Sequence, residues 1–196
     1  MSLSPMTELE AINAMLVSIG QSPVNTAEIA GVTDATTAQF TLRNTSREVQ
    51  ARGWWFNKES RYEALPDQSG HLVIPSNTAS YDPSDRHASV IPRPNQDTMM
   101  LFDNDRKSFV FDKPVRVDVV WLYRFDHLPQ IARNYIAVRA ARTFQAQQVG
   151  SQILYAYSEE ELREAGALMQ REHLRHSDTN IFRGASRANR ILHRRR

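Results

Sequence analysis

The 196-residue chain contains no cysteine. That excludes disulfides, thiolate catalysis and cysteine-ligated zinc. It has no run of about 18 apolar residues, so no segment reads as a membrane-spanning helix. The opening MSLSPMTELEA lacks the basic and apolar regions of a signal peptide, and folding is expected in the cytoplasm of the cell that makes the chain. Only seven glycines occur, and none falls in a GxGxxG, a P-loop or a GxSxG pattern. Phosphate-cradling loops and nucleophile elbows are therefore absent. Paired carboxylates stay open, because the fold sets their separation.

Acids are missing from one stretch. Residues 183–196, RGASRANRILHRRR, hold six arginines and no Asp or Glu. Without those six, 18 basic residues face 22 acidic ones, so a body near −4 carries a tail of +6. An acidic body with a basic end suits docking by that end. Composition alone also permits a solvated, disordered tail. Against that, Ile181, Phe182, Ile191 and Leu192 stand among the arginines, as in an arm that orders on a partner. Arg183, Arg187, Arg190, Arg194, Arg195 and Arg196 would supply the forks for its carboxylates or phosphates.

Periodicity gives the organisation. Thr7 to Ile19 reads as a helix: Thr7 and Glu10 have capping-box spacing, and Leu9, Ile12, Leu16 and Ile19 form a stripe. Gly20 stops it, and Pro23 fixes the following loop. Asp34 to Arg52 reads as a second helix, with Phe40, Val49 and Ala51 as apolar positions and Gly53 as its stop. From Trp54 the pattern turns to short β-branched and aromatic runs: WWFNKESRYEAL, HLVI, SVIPR, MMLF, SFVF and VRVDVVWLY. In the last, Val117, Val119 and Trp121 share a side. Residues 103–107 read as a hairpin turn, and the proline-rich 66–98 region as long loops.

Helical period returns over Gln130 to Gln148. Ile131, Tyr135, Val138, Arg142 and Gln145 follow it, and Ala137, Ala140 and Ala141 allow close packing. Ser158 to Arg175 reads as a fourth helix, with a Ser158–Glu161 capping box and a stripe of Leu162, Ala165 and Met169. The expected fold is α+β: a four-helix bundle from N- and C-terminal helix pairs (7–53 and 129–176), an inserted, mainly antiparallel β region (54–123), and a basic arm (177–196).

Chemistry-bearing clusters are few. His173 and His176 lack a carboxylate at zincin-like spacing and fit a helix end, where His complements the dipole. Asp103–Asp105 lacks the glycine and the closing acid of a calcium loop, with Pro114 standing where that acid belongs. Glu159, Glu160 and Glu161 open a helix and complement its dipole. No catalytic, metal-binding or cofactor-binding residue is assigned, and the chain is read as non-enzymatic. Trp54, Trp55 and Phe56 could stack on nucleic-acid bases. Few basic residues interleave with them, which favours Trp54 and Phe56 in the core and Trp55 at the surface or a subunit contact.

Three segments, ELEAINAMLVSIGQSPVNT at 8–26, REVQARGWWFN at 47–57 and YRFDHLPQIARNYIAVRAARTFQAQQVGS at 123–151, together resemble the tail tubular protein A family. SEEELREA at 158–165 is also similar. The resemblance implies a structural virion protein of short-tailed bacteriophages, assembled in the host cytoplasm. Twelve copies would form a head-to-tail adaptor ring between the portal protein and a tail nozzle (tail tubular protein B-like), with tail fibres attached nearby. The ring would continue the DNA channel and help retain packaged DNA, without sequence-specific binding. Phe182, Ile191, Leu192 and the arm arginines would dock on the portal, and Trp55, Ala137, Ala140 and Ala141 would form subunit contacts. A nucleic-acid-binding protein gripping phosphate through the arginine-rich arm is the alternative, and an envelope-opening hydrolase a weaker third.

Overall fold

The computed structural model describes residues 4–25, 33–83, 89–148 and 159–176. It is a mixed α and β protein in two compact units. Unit 1 draws on 1–46 and 125–196, and unit 2 is Arg47–Arg124. Element order is α1 (Glu8–Ser18), α2 (Thr33–Gln50), β1 (Lys58–Ala64), β2 (Thr78–Pro83), β3 (Val90–Asn95), β4 (Thr98–Asp103), β5 (Val115–Trp121), a 3-10 turn (Phe125–His127), α3 (Gln130–Gln148) and a helix over 159–176, here α4.

In unit 1, both halves of the Thr7–Glu10 capping box form: Thr7 Oγ1 accepts from the Glu10 N–H, and Glu10 Oε2 from the Thr7 N–H. Gly20 has φ +79°. Its N–H donates to Val17 O and the Gln21 N–H to Leu16 O, both at 3.0 Å, which satisfies two of the last carbonyls of α1. Ala11, Ile12, Met15 and Leu16 are its buried face. Helices α1 and α3 pack side by side. Met6 bonds to Gln130 and Arg133 at one end, and Gln145 donates to Ser18 O at the other, so the two helices run parallel.

The inward face of α3 is Ala132, Arg133, Ile136, Ala137, Ala140 and Phe144. Ile131, Tyr135, Val138, Arg142 and Gln145, which follow the helical period, form the half-covered to exposed flank. Small alanines admit the neighbouring helix, and bulk is not what marks the buried side. A Cβ placed on Gly166 of α4 would lie 3.3 Å from the Tyr135 ring, so α4 packs against that other flank. Ala165 and Met169 of α4 are buried as the period predicts.

Of the apolar positions expected of helix α2, Val49 is buried and Phe40 and Ala51 are exposed. Phe40 is 65% exposed, while Ala35, Ala38, Thr41, Leu42, Thr45 and Ser46 are buried. A face of small and hydroxyl side chains packs closely, and a phenylalanine would hold neighbours apart.

In unit 2, β5 is the centre of a three-stranded sheet, β1-β5-β2, antiparallel on both sides. Val115, Val117 and Val119 point into a core with Ala64, Leu72, Tyr81, Leu101 and Phe111, and Trp121 packs partly against it. Strand β1 is bulged at Arg61, where φ is +61° and the N–H donates to Asp118 Oδ1. Strands β3 and β4 form a ribbon closed by a two-residue turn at Gln96–Asp97. Pro92 and Pro94 stand two apart in β3, so both missing N–H groups fall on one edge of the strand.

The sequence reading needs four corrections here. Residues 54–57 are a turn, and the strand starts at Lys58. Phe56 therefore does not alternate with Trp54: the buried pair is Trp54 and Asn57. β2 lies inside 66–98, between the HLVI and SVIPR runs, where long loop was expected; its Thr-Ala-Ser-Tyr run pairs with β5 despite the prolines around it. Residues 71–74 and 108–111 contribute isolated bridges, His71–Val110 and Val73–Met100, and not full strands. The 103–107 segment does close a hairpin: Asp103 and Ser108 exchange both backbone bonds.

Candidate functional site at the helix-to-sheet joint

The best-built polar site in unit 2 lies where α2 ends and the sheet begins. A helix end leaves carbonyls without partners. Here side chains take them. The Trp54 indole N–H donates to Val49 O at 2.6 Å, and Asn57 Nδ2 donates to Gln50 O at 2.9 Å. Gly53, at φ +72°, turns the chain, and its N–H donates to Gln50 O at 3.0 Å. A Cβ there would stand 3.1 Å from Val120 Cγ2, so the backbone lies directly on the sheet.

Asn57 is only 1% exposed. Its Oδ1 accepts from the Trp54 N–H at 2.8 Å, and its Nδ2 reaches Trp121 O at 2.7 Å as well as Gln50 O. Gln50 treats Tyr123 as a strand neighbour would: Nε2 donates to Tyr123 O at 3.0 Å, and Oε1 accepts from the Tyr123 N–H at 2.8 Å. Around this joint the rings of Trp54, Trp55 and Phe56 meet edge to face, at 6.5 and 5.1 Å between centroids.

Unit 1 repeats the device. Asn13 Oδ1 accepts from the Val24 N–H at 2.8 Å and Nδ2 donates to Val24 O at 3.0 Å, next to the exposed Pro23. None of Asn13, Gln50, Asn57 or Tyr123 stands out by pattern. The one available signal is an amide side chain close to each helix stop.

The remaining candidates resolve structurally. Asp103 Oδ1 accepts from the N–H groups of Asp105 and Arg106, so its carboxylate caps the turn. His176 Nε2 lies 3.2 Å from Glu172 Oε1 across one helical turn. Among the described residues, no group of three or more His, Asp or Glu could hold a metal ion. A pocket of about 210 Å³ has Val90, Phe111 and Val115 in its wall and Arg106 at its rim, 3.8 Å from Asp103 and 3.5 Å from Asp112. Two groups have displaced titration. Hydrogen bonds from the His71 and Ser69 N–H groups hold the exposed Asp67 carboxyl below its usual range. Burial, with Tyr62 as a second cause, pushes the Tyr81 hydroxyl up to about 12.

Of the predicted contact residues, Ala137 and Ala140 are 7% and 0% exposed within the chain's own fold. Trp55 and Ala141 keep partial exposure. The arm from Phe182 to Arg196, like Ser158 of the expected capping box, lies outside the described residues.

The chain gathers helices from both its ends into one unit and carries a small β unit between them in sequence. Its class is a structural protein of a bacteriophage tail. Over residues 9–179 the sequence matches the model of the tail tubular protein family, and the chain belongs to that family. It is 29% identical over 171 residues to tail tubular protein A of Klebsiella phage KP34, an alignment covering 87% of this chain and 88% of that protein.

Proposed function

We propose that this chain forms the head-to-tail adaptor ring of a short-tailed phage, twelve copies joining the portal to the tail nozzle and continuing the DNA channel. The observation that carries this is the family match over nearly the whole chain. In this reading the four helices pack as one bundle that makes the ring wall. The helix pairs 7–53 and 129–176 bear the ring, and the β region, 54–123, is a unit of its own. Trp55 and Ala141, both partly exposed, belong to subunit contacts. A ring requires such contacts to be heterologous, one face meeting a different face of the next copy. The arm 177–196 docks on the portal, its modest contacts multiplied around the ring. A mildly acidic body repels DNA phosphate and lets the genome pass. The role is structural and not catalytic, and assembly takes place in the host cytoplasm.

The test is the mass of the purified protein alone and mixed with portal rings, at low and high salt. The reading expects a portal-dependent gain of about twelve subunits that survives high salt. Removing 178–196 should abolish that gain and leave the protein folded. No portal binding, together with DNA binding that weakens with salt at a log–log slope of roughly −5, would move the function to the nucleic-acid class.

A further inference from the structure

We propose that Gln50 and Asn57 are a clasp that fastens the outgoing chain of the β unit to its returning chain, so that unit 2 opens as a whole and does not fray from its ends. The chain enters this unit at Arg47 and leaves after Arg124. The β1–β5 ladder makes its last pair at Lys58 and Val120. Beyond that pair one backbone bond remains, and past it the outgoing chain turns away through 51–57.

Side chains continue the ladder. The Trp121 N–H donates to Asn57 O at 2.8 Å, while Asn57 Nδ2 donates to Trp121 O at 2.7 Å. One step further, the amide of Gln50 grips both the N–H and the C=O of Tyr123. The second proton of Asn57 Nδ2 ties the two rungs together through Gln50 O. A side-chain amide has the same planar donor–acceptor pair as a peptide, so it can stand in for a strand residue. Gln50 and Asn57 are 2% and 1% exposed, so water does not replace their bonds without opening the site.

Tension or thermal motion reaches unit 2 along the chain through its two ends. Unfastened ends open locally at low cost, and fastened ones share the stability of the sheet they close. The clasp thus converts a marginal boundary into part of the cooperative unit.

Native-state hydrogen exchange on the full chain tests this. In the wild type, the Tyr123 and Trp121 amides should exchange within about threefold of Val117 and Val119 in the central strand. Gln50→Met should raise exchange at Tyr123 about tenfold or more and leave Val117 and Val119 nearly unchanged. Gln50→Glu, which sets a carboxylate oxygen against the Tyr123 carbonyl at a 2% exposed position, should raise exchange at Tyr123 at least as much. Three results overturn the proposal: a wild-type Tyr123 amide exchanging about a hundredfold faster than Val119, a Gln50→Met variant with Tyr123 still protected, or one in which every amide of unit 2 speeds up equally. If Gln50→Met does not fold, the wild-type comparison of Tyr123 with Val119 still decides.

Discussion

Arg133 donates through Nη1 to the carbonyl of Met6 at 2.8 Å, across 127 positions of sequence. The same guanidinium donates through Nε to Leu128 O at 2.7 Å and through Nη2 to Asp126 O. One side chain, 9% exposed, thereby pins the segment before α1 to the turn before α3. Glu8 reinforces the seam, its N–H donating to Asp126 Oδ1 at 2.9 Å.

Arg133→Leu should lower unfolding stability by about 3 kcal/mol, because it strands three carbonyls that the guanidinium satisfies. Lysine should recover less than half of the loss, since a single ammonium lacks the planar fork. Urea denaturation followed by circular dichroism gives both values. A loss below about 1 kcal/mol would show that the seam holds without the arginine.

Gly53→Val and Gly20→Val share a positive φ but differ in surroundings. At Gly20 nothing lies within 4 Å of an added Cβ, whereas at Gly53 Val120 Cγ2 is 3.1 Å away. Backbone strain of about 1–3 kcal/mol applies at both. The collision on the sheet adds to it at Gly53 alone, so its melting temperature should fall further. Equal shifts in calorimetry would count against the close approach to β5.

Tyr81 sets an alkaline limit. Its folded pKa stands above the ordinary 10.0, so the fold favours the neutral phenol. The stability this contributes is complete below pH 10 and is lost as pH rises toward about 12. Melting temperatures measured from pH 8 to 12 should decline above pH 10 more steeply in the wild type than in Tyr81→Phe. Parallel declines would assign the alkaline loss to other groups.

Asp67 acts at the opposite end of the scale. Its carboxylate accepts two backbone N–H bonds, which lowers its pKa below the ordinary 3.8. The stability so gained is present above that value and disappears as pH falls through the lowered one. Asp67→Ala should therefore cost stability at pH 6 and progressively less below pH 4. A cost that stays constant down to pH 2 would mean that the charge plays no part.

Asn13→Ala removes both bonds to Val24, a loss of about 1–2 kcal/mol if the loop has no substitute. The Val24 amide should become the most accelerated site in hydrogen exchange, with Ile136 in α3 unaffected. Unchanged exchange at Val24 would show that Pro23 and Gly20 alone hold the loop.

Much of this was legible in the sequence, where local physics is strong. The Thr7–Glu10 box, the Gly20 stop, the inward valines of β5 and the Asp103 turn all follow from spacings of a few residues. Elements whose identity rests on distant partners were not legible. β2 becomes a strand because β5 offers it an edge, while 71–74, richer in β-formers, gets only single bridges. Phe40, an apolar position of α2, is exposed; hydropathy does not tell a bulky contact from a close one. The face of α2 that packs sets alanine, threonine and serine beside Leu42 and Val49.

The joint divides the same way. The sequence by itself determined that a helix stops at Gly53, because a left-handed residue past the last turn is a local requirement of the backbone. It also determined that aromatic rings gather there, and that acid and base are segregated along the chain. Tertiary structure alone decided that Asn57 and Gln50 hold the unit closed. An amide becomes a strand substitute only when a distant backbone, here Trp121 and Tyr123, arrives within hydrogen-bonding distance of it and water is shut out. Neither condition is written in any window of neighbouring residues.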